Sequence, residues 1–454
     1  MSKSLPLATL LVLATINLFN YIDRYIISAN LGAISQQLGF AHSDTMKGLL
    51  QSAFMVSFVI MAPIFGWLQP HISRTRLIAI GVLLWSLASG ASGLAGLARS
   101  QADILVADGF QPSLFLTITG SYGFLLATRC LVGVGEAAFG PAAPALLSDW
   151  FSEHSRGKVM AALYTAVPVG SAMGFAIGGL LGWPWAFFWV VPPGIALALV
   201  CWLLPEAPAR KVTESHSIPL SEYKYLLKRP SYILNVSAYT AATFCIGGIA
   251  YWLPHYVVDT RNAVTNETGT LMIGLIIVVS GLVATVMGSI LADRLRPHDP
   301  GAYFRVCAWG MYLAFPAMLG MVFIPFPWAW FCLFFACLGL FLNTGPANTI
   351  LMNVAPPHLR AQSMAICILV IHALGDVISP TLIGVAGDML PGGLNAGFLI
   401  VTGLVLVAGV LWHQGARFLQ ADIDAAHQAS KAWEMKYGVP EKAPLAFSDN
   451  PKIV

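Results

Sequence analysis

Apolar residues come along this chain in long runs rather than stripes. Twelve stretches read as membrane-crossing helices: 6–34, 46–69, 77–98, 118–147, 157–181, 183–204, 231–257, 269–292, 303–325, 327–352, 362–387 and 394–415. Each matches or exceeds the ~20 residues a helix needs to cross ~30 Å of hydrocarbon. None alternates apolar and polar residues with period two, so their backbone groups must be satisfied within helices rather than around a barrel. Two polar stretches interrupt the pattern: EAPARKVTESHSIPLSEYKYLLKRP at 206–230, and the chain from 418 onward. The pattern predicts an all-α integral membrane protein. Its expected parts are an N-terminal six-helix bundle (1–205), a cytoplasmic linker (206–230), a second six-helix bundle (231–417) and a cytoplasmic tail (418–454). The tail segment RFLQADIDAAHQASKAWEMKYG (417–438) has sparse apolar positions and reads as solvated rather than as a helix on the membrane face.

An internal repeat supports the division. The loop after the fourth span reads HSRGKVMA (154–161); the loop after the tenth, 204 residues on, reads HLRAQSMA (358–365). Both fit H-x-R-[GA]-x-x-M-A. The turn GWLQPHISRTR (66–76) corresponds more loosely to SILADRLRPHD (289–299), at an offset of 223. An extra segment in the first half explains the difference, and ARSQADILVADGFQPSLFL (98–116) supplies it, as a short outer hairpin or a cap. Two six-helix repeats joined by a central linker are the plan of a secondary transporter.

Composition agrees: 57% of the 454 residues are hydrophobic and 10% charged, against about 45–50% and 25% in soluble domains. A net charge of +3 with no basic stripe excludes a nucleic-acid binder. Charge placement says more. Of the 24 Lys and Arg, Lys47, Arg99 and Arg261 fall on one side, Arg24 and Arg129 fall within spans, and the remaining 19 fall on the side of the termini. The positive-inside rule then puts both termini in the cytoplasm. The seven cysteines all lie in apolar runs without a CxxC pair and read as free thiols. MSKSLPLATLLVLATINLFN mimics a signal peptide, but no small-x-small site closes it, so it is expected to remain as the first helix.

A charge at mid-bilayer costs at least ~2.5–3.5 kcal/mol, so such groups face a partner or a cavity. Few lie deep in spans here: Asp23 and Arg24 in span one, Arg129 and Glu136 in span four, His372 and Asp376 in span eleven. Asp23 and Arg24 are adjacent, so they diverge by about 100° and each needs a partner elsewhere. Arg129 and Glu136 share a face but stand about 10 Å apart along the axis. The natural arrangement is crossed, span one against span four. A carboxylate beside an arginine stays ionised; once the partner withdraws, desolvation favours the protonated form. Asp23 and Glu136 are therefore the expected proton-coupling residues, with Arg24 and Arg129 as charge partners. The rival is a static ion-pair network, although buried pairs stabilise poorly compared with apolar packing.

His372 and Asp376, four apart, share a face. They read as a proton relay, a polar cavity wall, or a packing pair beside Pro380; two groups on one turn do not make a metal site. Asn17, Asn20, Tyr21, Asn343 and Asn348 line the centre or serve as interhelical glue. Gly170, Gly174 and Gly178 form a small-xxx-small ridge for close helix approach.

RCLVGVGEAAFGPAAP (129–144) resembles the fourth-helix RxxxGxGEA pattern of the major facilitator superfamily. NYIDRYIISA (20–29), VGVGEA (132–137), PVGSAMG (168–174) and IHALGDVISP (371–380) resemble the spinster family within it, over nearly the whole chain. The resemblance implies the major facilitator fold of two pseudo-symmetric bundles. It implies a carrier of lysolipid- or sphingolipid-like amphiphiles, eukaryotic relatives moving lysophospholipids or sphingosine-1-phosphate, some with proton coupling. On it, Arg24 and Arg129 also become anchors for a phosphate-like head group. It implies a cytoplasmic gate at Asp149, Arg156, Asp293 and Arg294. The family's GxLxDR turn reads GWLQPHISR here, with Pro70 where the acid stands, whereas ADR (292–294) keeps it in the second half.

The expected function is secondary transport of a small amphiphile by alternating access, driven by protons, with no cofactor and no metal, by a monomer. The expected site is a bacterial inner membrane. A carrier of a soluble organic anion or drug on the same fold is the alternative, followed by a transport-inactive sensor or scaffold. No H-E-x-x-H, G-x-S-x-G or nucleotide loop points to an enzyme.

Overall fold

The computed structural model describes residues 4–69, 71–151, 153–206 and 220–437. Among the described residues, twelve helices are long and apolar enough to cross a membrane: α1 (Leu5–Ala29), α2 (Asp44–Leu68), α3 (Arg74–Ala107), α4 (Tyr122–Trp150), α5 (Lys158–Leu181), α6 (Trp185–Leu203), α7 (Pro230–Thr260), α8 (Asn266–Leu295), α9 (Ala302–Phe323), α10 (Ala329–Val354), α11 (Gln362–Met389) and α12 (Leu394–Gly415). We call the end where α1 begins and α12 ends the terminal face, and the opposite end the distal face.

The sequence ranges overlap all twelve, and the differences have local causes. Span one stops at Ala29 rather than 34. There Asn30 turns its amide onto the carbonyls of Ile26 and Gly178, at 2.9 and 3.0 Å, and a separate short helix follows at Leu31–Gln37. Span three overruns its expected end and stops at a Schellman-type turn, with Gly109 at φ +83° and Phe110 N–H on Leu105 O at 2.8 Å. A second short helix, Leu114–Thr119, returns from it, so 98–116 is the expected hairpin. Most of the linker (207–219) and the end of the chain (438–454) lie outside the described residues, as does Pro70.

Each half is drawn together by paired glycines. A Cβ on Gly135 of α4 would stand 2.7 Å from Gly81 O on α3; a Cβ on Gly310 of α9 would stand 2.6 Å from Gly339 O on α10. Gly135 and Gly339 are separated by the same 204 residues as the two loop motifs. The repeat in sequence is thus a repeat in packing.

The tail corrects the sequence reading. Leu419–Tyr437 is a helix, α13, and its Leu419, Asp422, Ile423 and Ala426 are buried. Asp422 accepts the backbone N–H of Ser231 at 2.9 Å, capping the start of α7. Trp433 stacks on His358 with ring centroids 4.1 Å apart. The three apolar positions are few but fall at i, i+4 and i+7, enough for one stripe. Burial holds the His358 imidazole below its ordinary value, so acid works against the docked state. That contribution is complete above about pH 6.5 and fades as pH falls below it. Protease nicking of α13 should rise below that pH in wild type, and at every pH in Ile423→Asp.

Candidate functional site

The glycine ridge predicted on span five positions the first helix. A Cβ on Gly170 would lie 2.7 Å from Leu18 O, one on Gly174 2.6 Å from Ile22 O and one on Gly178 3.3 Å from Ile26 Cα, so α5 lies against the α1 backbone on both sides of Asp23 and Arg24. Gly133 does the same for α4 against α2, where a Cβ would meet Phe58 N at 3.2 Å. With the four backbones this close, the charges of α1 and α4 meet crosswise. Arg24 Nη2 lies 2.6 Å from Glu136 Oε2, and Arg129 Nη1 lies 3.9 Å from Asp23 Oδ2. Ser89 of α3 donates its hydroxyl to the other Asp23 oxygen. Asp23 and Arg129 are fully buried and Glu136 nearly so.

The two pairs are unequal. Arg24 and Glu136 form a close charge-assisted contact, whereas Asp23 and Arg129 are too far apart for a hydrogen bond. All three Arg129 guanidinium nitrogens, Arg24 Nε, Asp23 Oδ2 and Glu136 Oε1 are buried without a protein hydrogen-bond partner. Phe54 packs on both arginines, its ring centroid 5.1 Å from the Arg24 guanidinium and 5.4 Å from that of Arg129. Tyr21 and Phe58 add faces at 4.8 and 5.7 Å from Arg24. Aromatic faces attract cations without fixing a direction. The cluster holds its charges but leaves their hydrogen-bonding capacity open.

Arg24 also walls a cavity of about 40 Å³ between the halves, with Tyr25, Gln51 and Met55 opposite Gly247, Tyr251 and Asp376. That is room for water, not for an acyl chain. His372 Nδ1 lies 2.9 and 3.0 Å from the two Asp376 oxygens, within a π-helical turn, His372–Asp376. Such turns inside α-helices are frequent at functional sites. Gly247 makes room for it, since a Cβ there would approach Asp376 Cα to 3.0 Å. Along the terminal half of α8 runs a larger apolar groove of about 620 Å³, lined by Leu282, Val283, Val286, Met287, Ile290, Leu291 and Arg294.

Toward the distal face the halves are bonded together. Asp388 of α11 accepts the N–H groups of Asp44 and Thr45, at 2.7 and 2.9 Å, and the Ser43 hydroxyl at 3.0 Å. Thr381 donates to Ser52 at 2.7 Å, and Tyr251 donates to Lys47 O at 2.6 Å. The protein is closed at this face.

Other candidate residues go elsewhere. Asn17 donates to Leu163 O at 2.9 Å and ties α1 to α5. Asn343 and Asn348 bond their own helix, to Leu340 O at 2.6 Å and Thr344 O at 2.8 Å. Asn20 is buried, and Tyr21 sits under Arg24. Among the described gate residues, Asp149 is not brought to Asp293 or Arg294. Asp149 pairs with Arg74 at 2.6 Å, and Arg74 with Glu206 at 2.7 Å, all within the first half. Asp293 accepts the Tyr303 hydroxyl at 2.9 Å, and Arg294 ends the groove on α8. The Arg156 side chain lies outside the described residues. Sequence reasoning missed Arg74, Glu206, Ser89 and Phe54. Arg74 and Glu206 stand as charges at two span ends, a readable signal; a serine and a phenylalanine within apolar spans carry none.

The Major Facilitator Superfamily pattern matches residues 13–380. Protein spinster of Drosophila melanogaster is 31% identical over 402 residues, 84% of this chain but 62% of the fly protein, so the chain spans less than two thirds of that relative. Spinster homolog 1 of Xenopus laevis is 31% identical over 86% of this chain and 74% of the relative; that of Homo sapiens is 30% identical over 84% and 72%. Among solved structures, a bacterial homologue of the human lysosomal transporter Spinster, in an inward-facing and occupied conformation, superimposes with a TM-score of 0.75. It shares 19% identity and covers 93% of this chain and 99% of its own. A D-xylose–proton symporter has a TM-score of 0.70 at 16% identity over 90% and 97%. The twelve helices in two glycine-crossed halves, the crossed α1–α4 charges and these relatives agree: the chain belongs to the spinster family of the Major Facilitator Superfamily, a transporter family whose members are generally not enzymes.

Proposed function

We propose that this chain is a proton-coupled secondary carrier of a lysolipid- or sphingolipid-like amphiphile, working by alternating access with its terminal face in the cytoplasm. The observation that carries the reading is the under-bonded crossed cluster of Asp23, Arg24, Arg129 and Glu136. A lock built for rigidity would saturate its hydrogen bonds, because each buried unsatisfied polar group costs about 1–3 kcal/mol. A cluster that must exchange partners leaves capacity free. Protonation of Glu136 releases Arg24 into the central cavity, where Asp376 of the other half is the opposite charge. Asp23, held by Ser89 and facing Arg129, is the second carboxylate that takes a proton. A monomer suffices, since both halves belong to one chain.

Head and tail have different supports. An arginine fork suits a phosphate-like head group, and Arg24 and Arg129 supply two. The apolar groove on α8 suits an alkyl tail, with Arg294 at its end. The excess of Lys and Arg on the side of the termini supports a cytoplasmic terminal face. On that orientation the distal closure makes this the inward-facing state.

The test is pH-gradient-driven uptake of labelled lysolipid into proteoliposomes. Wild type is expected to respond to the gradient, and Asp23→Asn and Glu136→Gln to lose the response while folding normally. Uptake without gradient dependence removes the coupling. Uptake of a soluble organic anion in place of lysolipid replaces the cargo, and flux of neither removes transport.

A further inference from the structure

One bond across the distal closure joins two groups that are both bases. Lys47 Nζ of α2, in the first half, lies 3.3 Å from His255 Nε2 of α7, in the second. The ammonium has three donors and no acceptor, so this contact needs the lone pair of an unprotonated Nε2. The other ring nitrogen, Nδ1, lies 2.7 Å from Asp259 Oδ2, which fixes the tautomer with hydrogen on Nδ1. The imidazole thus bridges a cation of one half and a carboxylate of its own half. Lys47 and His255 are 4% and 9% exposed, so little water screens them.

The surroundings define the charges. From α2 come Lys47 and, behind it, Asp44, whose Oδ1 is 2.8 Å from Lys47 Nζ. From α7 come Asp259, Tyr251 and Trp252, the indole 5.9 Å from the imidazole. From the short helix at Leu31–Gln37 comes only Gly32, packed against Asp259. From α11 comes Asp388, committed to Ser43, Asp44 and Thr45.

We propose that His255 is a proton-binding site of the distal closure: the closed state holds Nε2 unprotonated against Lys47, and a proton taken up from the distal side parts the two halves. Protonation removes the acceptor and places two like charges in contact at a buried seam. The parted imidazolium keeps Asp259 as its partner, and Lys47 keeps Asp44, so neither charge is stranded on opening. Closure and proton uptake compete, and by linkage acid on the distal side favours the distal-open state. This site is separate from the α1–α4 cluster, and it rests on the alternating-access reading above.

The experiment measures the distance between spin labels at Ala41→Cys and Glu267→Cys, both exposed at the distal face, in lipid nanodiscs from pH 8 to 5. It uses the Asp23→Asn, Glu136→Gln background, so that those carboxylates carry no charge change. The longer-distance population is expected to grow as the pH falls through this range, by up to tenfold per pH unit for one proton. With His255→Gln added, the amide still accepts from Lys47 and donates to Asp259, and the closed distance should hold at every pH. An equal pH response with His255→Gln overturns the proposal, as does no response while lysolipid or Gly48→Val still moves the labels. A distance that none of these changes overturns alternating access itself.

Discussion

Arg24→Ala is expected to destabilise the protein by about 3–5 kcal/mol, the cost of leaving one member of a buried ion pair without its partner. Glu136 is almost wholly buried, its Oε2 held by Arg24 at 2.6 Å and its Oε1 without a protein partner. Removing the guanidinium therefore leaves a carboxylate that must desolvate unpaired or protonate. The double variant Arg24→Ala, Glu136→Gln removes the stranded charge and should recover much of the loss. Thermal stability in detergent reads both. Gradient-driven uptake should vanish in the two alike, because either change removes the exchangeable pair. If the single variant is no less stable than the double, Glu136 is not held by Arg24. A static network predicts the same stabilities but no selective loss of gradient dependence in Glu136→Gln, which separates the two readings.

A side chain at Gly48 should hold the distal face open. A Cβ there would stand 2.8 Å from the carbonyl carbon of Pro380 and 2.9 Å from Thr381 Cα, both backbone atoms of α11. Reciprocally, a Cβ on Gly384 would stand 2.6 Å from the Asp44 carbonyl carbon. The two helices cross with backbone against backbone, and no rotamer change relieves an added methyl group. Overpacking of this kind costs about 1–3 kcal/mol in a closed seam, and nothing once α2 and α11 part. For two states within a few kcal/mol of each other, Gly48→Val is expected to shift the population ten- to hundredfold toward distal-open. Transport should fall at least tenfold, with a rise in labelling of a cysteine placed at Ser52 by an impermeant maleimide from the distal side. Unchanged labelling would mean that the α2–α11 seam is not a gate.

The crossed pairing of α1 with α4 was readable because hydrocarbon leaves so few charges that their partners can be counted. The polar residues at the centre were less readable. Asn17 and Asn343 look alike in sequence, yet the first ties two helices and the second bonds its own backbone. An amide in an apolar span always finds an acceptor, and only the packing says which. The tail was misread for the opposite reason. Leu419, Ile423 and Ala426 make too weak a stripe for a membrane surface but enough for a helix docked on protein. Asp149 lies at the end of α4, and Asp293 and Arg294 at the end of α8, but Asp149 turned to Arg74, a residue the sequence left unremarked.

By itself the sequence determined the twelve spans, the two repeated halves, the family and the four charges of the α1–α4 cluster. These follow from solvation, which acts on each segment whatever its neighbours: a run of apolar residues must enter the bilayer, and a charge within it must be answered. The tertiary structure alone decided that the two pairs are unequal, that Phe54 packs on both arginines, and that Lys47 meets His255 across the distal seam. Those depend on how closely helices distant in the chain approach, set by glycines against backbone to within a few ångströms, and no local pattern encodes that distance.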